Sequence, residues 1–260
     1  MLQLGNRDRM EGMELGVCCA AAEAGEVLAA GFDFAEVPAR AILESDSPCQ
    51  WVATNQFFPF GVRLFGVEPF DWRTYSHQLF DCAGRCGVQL MVIGSGAARH
   101  SAASQLPGEA DAAFLDIAGE IASMARTRNI VIAPESLREE ETDVANSARH
   151  LAEGLAQRNA AYTLDVYHLL VEWRRHYGTA EIDAAFVDRE LTLTPAHVHL
   201  SDIERGLPLL DDPLVDLVLR RLLRLGFQGR VSLECSSGVM NDLPNARQRV
   251  GDLIDRSINS

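Results

Sequence analysis

A repeated alternation restricts the fold of this chain more than any other feature. Short apolar runs are followed by longer stretches with helical periodicity, and the pattern recurs from near residue 14 to the C-terminus. The runs are Leu15–Cys19, Phe32–Val37, Trp51–Thr54, Val88–Ile93, Ile130–Ile132, Tyr162–Leu164, Ala196–His199 and Arg230–Glu234, eight in all. Amphipathic stretches lie between them, among them Trp72–Cys86, Ala110–Thr127, Val144–Gln157 and Pro213–Leu225. Glycines at Gly31, Gly87 and Gly226 precede the next strand, as expected where a helix stops. Such an alternation predicts parallel strands with crossover helices, in either a closed barrel or a doubly wound sheet. A doubly wound nucleotide fold would carry a glycine-rich turn after its first strand. Ala20-Ala-Ala-Glu-Ala-Gly25 stands there, so the reading is an α/β fold, a (β/α)8 TIM barrel. Barrels of this kind run to about 250 residues as one unit, so all 260 residues are expected to form a single domain with a loose segment over 1–13.

Composition closes several kinds of chemistry. The 23 basic residues are all arginine, so no lysine is present. Schiff-base catalysis, pyridoxal phosphate attachment and the P-loop lysine all require that ε-amine. A net charge of −14 argues against nucleic acid and against an anionic membrane as partners. The six cysteines, Cys18, Cys19, Cys49, Cys82, Cys86 and Cys235, form no CxxC pair and are expected to be reduced thiols. The opening MLQLGNRDRMEGM lacks an apolar core, and no run is long enough to span a bilayer, so a cytoplasmic location is the expectation.

Barrel enzymes carry their reacting groups at the C-terminal ends of the strands. Glu135 in APES, Asp165 in TLDVYH, His199 in HVHLSD and Glu234 in SLECS occupy that place on the last four strands, separated by 30, 34 and 35 residues. Each interval is one β/α unit, so the four side chains should converge on one mouth. Three carboxylates and an imidazole suit Mn²⁺, Mg²⁺, Co²⁺ or Zn²⁺, and without a cation the carboxylates would repel one another. His168, three residues after Asp165, is near enough to point into the same mouth, or is a satisfied, partly buried histidine; Arg205 on the loop after His199 is a natural partner for a substrate oxygen or phosphate, or a surface loop arginine. His197 is read as barrel filler or a support to His199, and Glu36 and Asn55 as residues of the pocket floor. Gly94-Ser-Gly96 reads as a plain turn and Glu139-Glu-Glu141 as a solvated helix start. His77, His100, His150 and His176 are read as surface residues without partners.

Several segments together resemble the sugar phosphate isomerase/epimerase family, part of the xylose isomerase-like barrel superfamily that includes ketose 3-epimerases. They are Gly31-Phe-Asp-Phe-Ala-Glu-Val37, Val92-Ile-Gly-Ser-Gly96 with Arg99, Leu164-Asp-Val-Tyr-His168, His197-Val-His199 with Arg205, and Gly229-Arg-Val-Ser-Leu-Glu234. The resemblance implies that Glu135, Asp165, His199 and Glu234 hold one metal and that Glu135 and Glu234 act as an acid/base pair. It also implies that His168, Arg205 and Glu141 hold substrate hydroxyls. Glu141 is matched by spacing alone, and Ser136, Arg138 and Glu139 replace the proline, asparagine and arginine of the family pattern.

The expected activity is therefore isomerisation or epimerisation of a sugar, sugar phosphate or related polyol by proton transfer beside a carbonyl. A metal-dependent sugar-acid or inosose dehydratase would use the same residues. An endonuclease-like phosphodiesterase would need further metal ligands and a basic groove, and a non-enzymatic binding barrel would have little use for the full set. The expected partner is a small carbohydrate, with homo-oligomerisation left open.

Overall fold

The computed structural model describes residues 13–45, 51–106, 108–178, 184–236 and 238–259. Eight parallel strands form a barrel with helices between them, the (β/α)8 architecture expected from the sequence. The strands are β1 (Glu14–Cys18), β2 (Phe34–Pro38), β3 (Ala53–Asn55), β4 (Leu90–Ile93), β5 (Val131–Pro134), β6 (Thr163–Asp165), β7 (His197–Leu200) and β8 (Arg230–Leu233). Each run expected to be a strand contains or overlaps one of these. β1 pairs with both β2 and β8, so the ladder runs unbroken from β5 through β1 to β6. The remaining seam, between β5 and β6, is bridged at Glu135 and Thr163, where Thr163 Oγ1 also donates to the Ala133 carbonyl at 2.9 Å.

Alternation along each strand sorts the side chains into two cores. Leu15, Val17, Ala35, Val37, Met91, Ile93, Leu164, Val198, Leu200, Val231 and Leu233 face the helices and join the large outer cluster. Phe34, Ala53, Leu90 and Ala133 form a separate small cluster inside the barrel. Gly16 lies beside Phe34 in the β1–β2 register, and a Cβ there would overlap the Phe34 ring. That one missing side chain lets an aromatic ring plug the barrel below the polar mouth.

Helix boundaries follow local capping. Asp71 accepts from the Thr74 N–H and caps Trp72–Ala83, and Asp212 caps Pro213–Arg224, which begins on its proline. The helix expected over 144–157 starts only at Ala148, capped by Ser147. The Asn146 amide donates to the Leu137 and Thr142 carbonyls, and Ala145 takes a left-handed φ of 60°, so the chain turns before it can coil. This corrects the reading of Glu139–Glu141 as a helix start: they lie in an earlier turn, in which the Glu141 N–H donates to the Arg138 carbonyl at 3.0 Å.

The cysteine expectation also needs correction. Cys18, Cys19, Cys82 and Cys235 are free, but Cys86 is disulfide-bonded. Cys86 is buried where its carbonyl accepts the Trp51 N–H at 3.1 Å, a proximity that residue spacing does not reveal. Cys49 lies outside the described residues, as does most of the 1–13 segment. Among the described residues, no helix is long and apolar enough to cross a membrane.

Candidate functional site

Glu135, Asp165, His199 and Glu234 meet at the C-terminal mouth, each offering one donor atom, with all four atoms within 4.8 Å of one another. Their strands explain the convergence. Glu135 and Glu234 each follow the last residue of a strand, Asp165 ends β6, and His199 sits inside β7 level with Asp165 and Ser232. His199 is central. Its Nδ1 lies 2.9 Å from Glu135 Oε2 and 3.0 Å from Glu234 Oε2, and its Nε2 lies 2.8 Å from Glu36 Oε1.

Asp165 has two tasks. Oδ1 accepts the His168 N–H at 3.1 Å and caps the helix Val166–Tyr177, while Oδ2 faces the mouth and accepts from Arg205 Nη1 at 2.7 Å. Room for Glu135 is made by Gly94, where a Cβ would overlap Glu135 Oε1. A Cβ on Gly96 would in turn sit 2.8 Å from the Glu141 carbonyl oxygen. The glycine pair after β4 thus has a packing reason, more specific than the plain turn expected.

Arg205 takes a left-handed φ of 62°, a conformation unfavourable for a side-chain-bearing residue. Its carbonyl accepts from Ser236 N–H at 2.8 Å and from Ser236 Oγ at 3.2 Å, which holds that shape. The guanidinium stacks 4.5 Å from the Tyr167 ring centre and lies 3.1 Å from Glu234 Oε2. Tyr167 also carries the Arg138 guanidinium, and Arg138 donates to Glu141 Oε1 at 2.8 Å. Sequence reasoning assigned Tyr167 no role. It lies between Asp165 and His168 in TLDVYH, but stacking under two guanidinium groups leaves no pattern in the sequence.

His168, Arg205 and Glu141 all line one cleft of about 370 Å³ with Glu135, Glu234 and Asn55. His168 is buried, with Nε2 3.4 Å from Asp165 Oδ2. Phe58 and the exposed Phe60 also line it. Asn55 belongs to this cleft as expected, whereas Glu36 lies beneath it, fully buried. His100, His150 and His176 are surface residues with weak acidic partners, Asp143, Asp111 and Glu172, where none was expected. His77 is exposed.

Electrostatics favour a cation at the mouth. Two carboxylates no more than 4.8 Å apart repel by roughly 3 kcal/mol or more at an effective dielectric near 20, and three are gathered here. Burial raises the Asp165 carboxyl, but His168, Arg205 and His199 outweigh it and hold Asp165 well below the usual range. Glu234 goes the other way: burial raises it, and Asp165 and Glu135 add to the rise against His199. Burial disfavours a charged His199, yet Glu36, Glu234, Cys18 and Glu135 raise it well above the ordinary imidazole value. Glu234 Oε2 is buried without a directed hydrogen bond. The mixed O/N donor set fits a divalent ion such as Mn²⁺, Mg²⁺, Co²⁺ or Zn²⁺.

No curated protein sequence matches the chain significantly. Its fold is similar to that of a D-psicose 3-epimerase from Clostridium cellulolyticum H10 with D-tagatose, at a TM-score of 0.67 and 13% identity, covering 95% of this chain and 97% of that one. An L-ribulose 3-epimerase gives a TM-score of 0.67 at 14% identity, covering 95% and 96%. The IOLI protein with a bound zinc atom gives 0.61 at 14% identity, covering 94% and 99%. At these identities the likeness establishes the fold. The family profile described as xylose isomerase-like TIM barrel matches residues 70–255, most of the chain, and the protein belongs to that family.

Proposed function

We propose that the protein is a divalent-metal-dependent isomerase or epimerase that moves a proton beside the carbonyl of a sugar, sugar phosphate or related polyol. The observation that carries this reading is the convergence of Glu135 and Glu234 on His199 Nδ1, at 2.9 and 3.0 Å, with both glutamates lining one cleft. Glu135, Asp165, His199 and Glu234 would hold the ion. When bound, such an ion supplies Lewis-acid polarisation of a substrate carbonyl and offsets negative charge that develops on its oxygen.

The chain's own residues supply the rest. Glu234 and Glu135 supply the two carboxylates that remove a proton from carbon and return it. Arg205, fixed by Tyr167 and Ser236, presents its guanidinium to substrate oxygens, and His168 and Glu141 offer further polar atoms along the cleft. Ketose 3-epimerases among the structural relatives support a carbohydrate as substrate. A cytoplasmic setting and a single-domain organisation are part of the same proposal, although the Cys86 disulfide is unusual for a reducing compartment.

Incubating the manganese-loaded protein in D₂O with free ketoses, phosphorylated ketoses and inosose-type polyols, followed by NMR, tests the reading. Deuterium on the carbon beside the carbonyl is the expected result. A product lighter by one water would replace the proposal with a dehydratase, and turnover without solvent label would replace it with a hydride shift. Failure to turn over any of these substrates would refute the proposal for these classes.

A further inference from the structure

We infer that Glu36 is a positioning residue that aims His199 Nδ1 at the metal, an assignment that rests on the metal reading above. Glu36 lies on β2, across the barrel from β7, with no solvent exposure. Its two oxygens are fully engaged. Oε1 lies 2.8 Å from His199 Nε2, while Oε2 lies 2.8 Å from His197 Nε2 and 2.5 Å from Ser232 Oγ. A carboxylate only accepts, so both imidazoles must carry a proton on Nε2. For His199 that leaves Nδ1 as the nitrogen able to offer a lone pair, and Nδ1 is the atom facing Glu135 and Glu234.

The surroundings reinforce this choice. His197 Nδ1 has no hydrogen-bond partner, so Glu36 is what holds that ring by a polar contact. The His197 ring stands edge-on to His199, 5.0 Å between centres and 87° between planes, and blocks rotation of its neighbour. Ser232 donates from β8 and fixes the Glu36 carboxylate from a third strand. Glu36 thus joins β2, β7 and β8 under the mouth and sets which face of one imidazole the site receives. Such supports typically change metal affinity 10–100-fold when removed.

Glu36→Gln keeps the volume but gives the side chain one acceptor and one donor group. Its amide can accept from one imidazole only and must donate to the other, which puts the second ring in the opposite tautomer. The experiment measures zinc affinity by competition with a chromophoric chelator, thermal melting of the chelated proteins, and the histidine ¹⁵N spectrum of the zinc-loaded wild type. The wild type should bind zinc through His199 Nδ1 with a proton retained on Nε2. Glu36→Gln should bind zinc 10–100-fold more weakly, a loss that a merely structural role would show in melting and not in the affinity of the folded protein. Ser232→Ala should lose less. Zinc on His199 Nε2, or a Glu36→Gln affinity within twofold of wild type, overturns the assignment. The wild-type spectrum decides the matter even if the variant fails to fold. Absence of zinc uptake by the wild type would refute the metal reading and this assignment with it, whereas normal uptake with an unaffected variant refutes this assignment alone.

Discussion

Gly94→Ala places one methyl group where the account says a metal-ligating carboxylate must be. The added Cβ would overlap Glu135 Oε1, and an ordinary carbon–oxygen contact would require the carboxylate to retreat by about 1 Å. The Glu135 backbone is held on both sides. Glu135 N–H donates to the Ile93 carbonyl at 3.2 Å, and the Glu135 carbonyl accepts from buried Arg99 at 2.9 Å. On its far side the carboxylate already meets His199 Nδ1 at 2.9 Å. A misplacement of about 1 Å at a reacting group costs on the order of 100-fold in rate, and overpacking typically costs about 1–3 kcal/mol of stability. Gly94→Ala should therefore lower turnover about 100-fold and weaken manganese binding, measured by titration calorimetry, with a modest fall in the melting temperature of the chelated protein. Gly25→Ala is the control, because a Cβ there meets nothing within 4 Å. Unchanged manganese affinity and turnover in Gly94→Ala would show that the Glu135 carboxylate is not a ligand at this position.

Three further outcomes are expected. Asp165→Asn and His199→Ala should lose metal, while His168→Ala and Arg205→Ala should keep it and raise KM; dialysis with elemental analysis beside steady-state kinetics checks this division. Asn can still cap the helix that Asp165 caps, so a folding defect is not expected in Asp165→Asn. Metal affinity should rise with pH, because His199 has a raised value in the metal-free protein and its proton must leave when metal binds. The slope should approach tenfold per pH unit below the His199 value and flatten above it; the stability that protonated His199 gives the metal-free fold runs the opposite way, fully present at low pH and lost as pH rises through that value. A flat pH profile in calorimetry would contradict His199 as a ligand. Glu135→Gln and Glu234→Gln should each abolish turnover, and full activity in either would remove that residue from proton transfer.

The legible part of the structure was what period and interval can encode. Two-residue alternation and one-unit spacing are enough to place Glu135, Asp165, His199 and Glu234 at one mouth, because a strand end in a barrel has only one place to go. Glu36 was harder. Its strand position is visible in the sequence, but its three donors come from His197, His199 and Ser232, which lie 161, 163 and 196 residues away. Tyr167 and Gly94 act through stacking and through a missing side chain, neither of which leaves a spacing pattern. The late start of the helix at Ala148 depends on two hydrogen bonds from Asn146 that local propensity does not show. The Cys86 disulfide likewise depends on which segments the barrel brings together.

Glu135, Asp165, His199 and Glu234, at the ends of four strands, are expected to bind one divalent ion. Equilibrium dialysis of the chelated and reloaded protein against Mn²⁺ or Zn²⁺, with elemental analysis, tests it most directly. The account predicts one ion per chain at this site, lost in Asp165→Asn. Absence of a bound ion in the wild type, or full retention in Asp165→Asn, would contradict it.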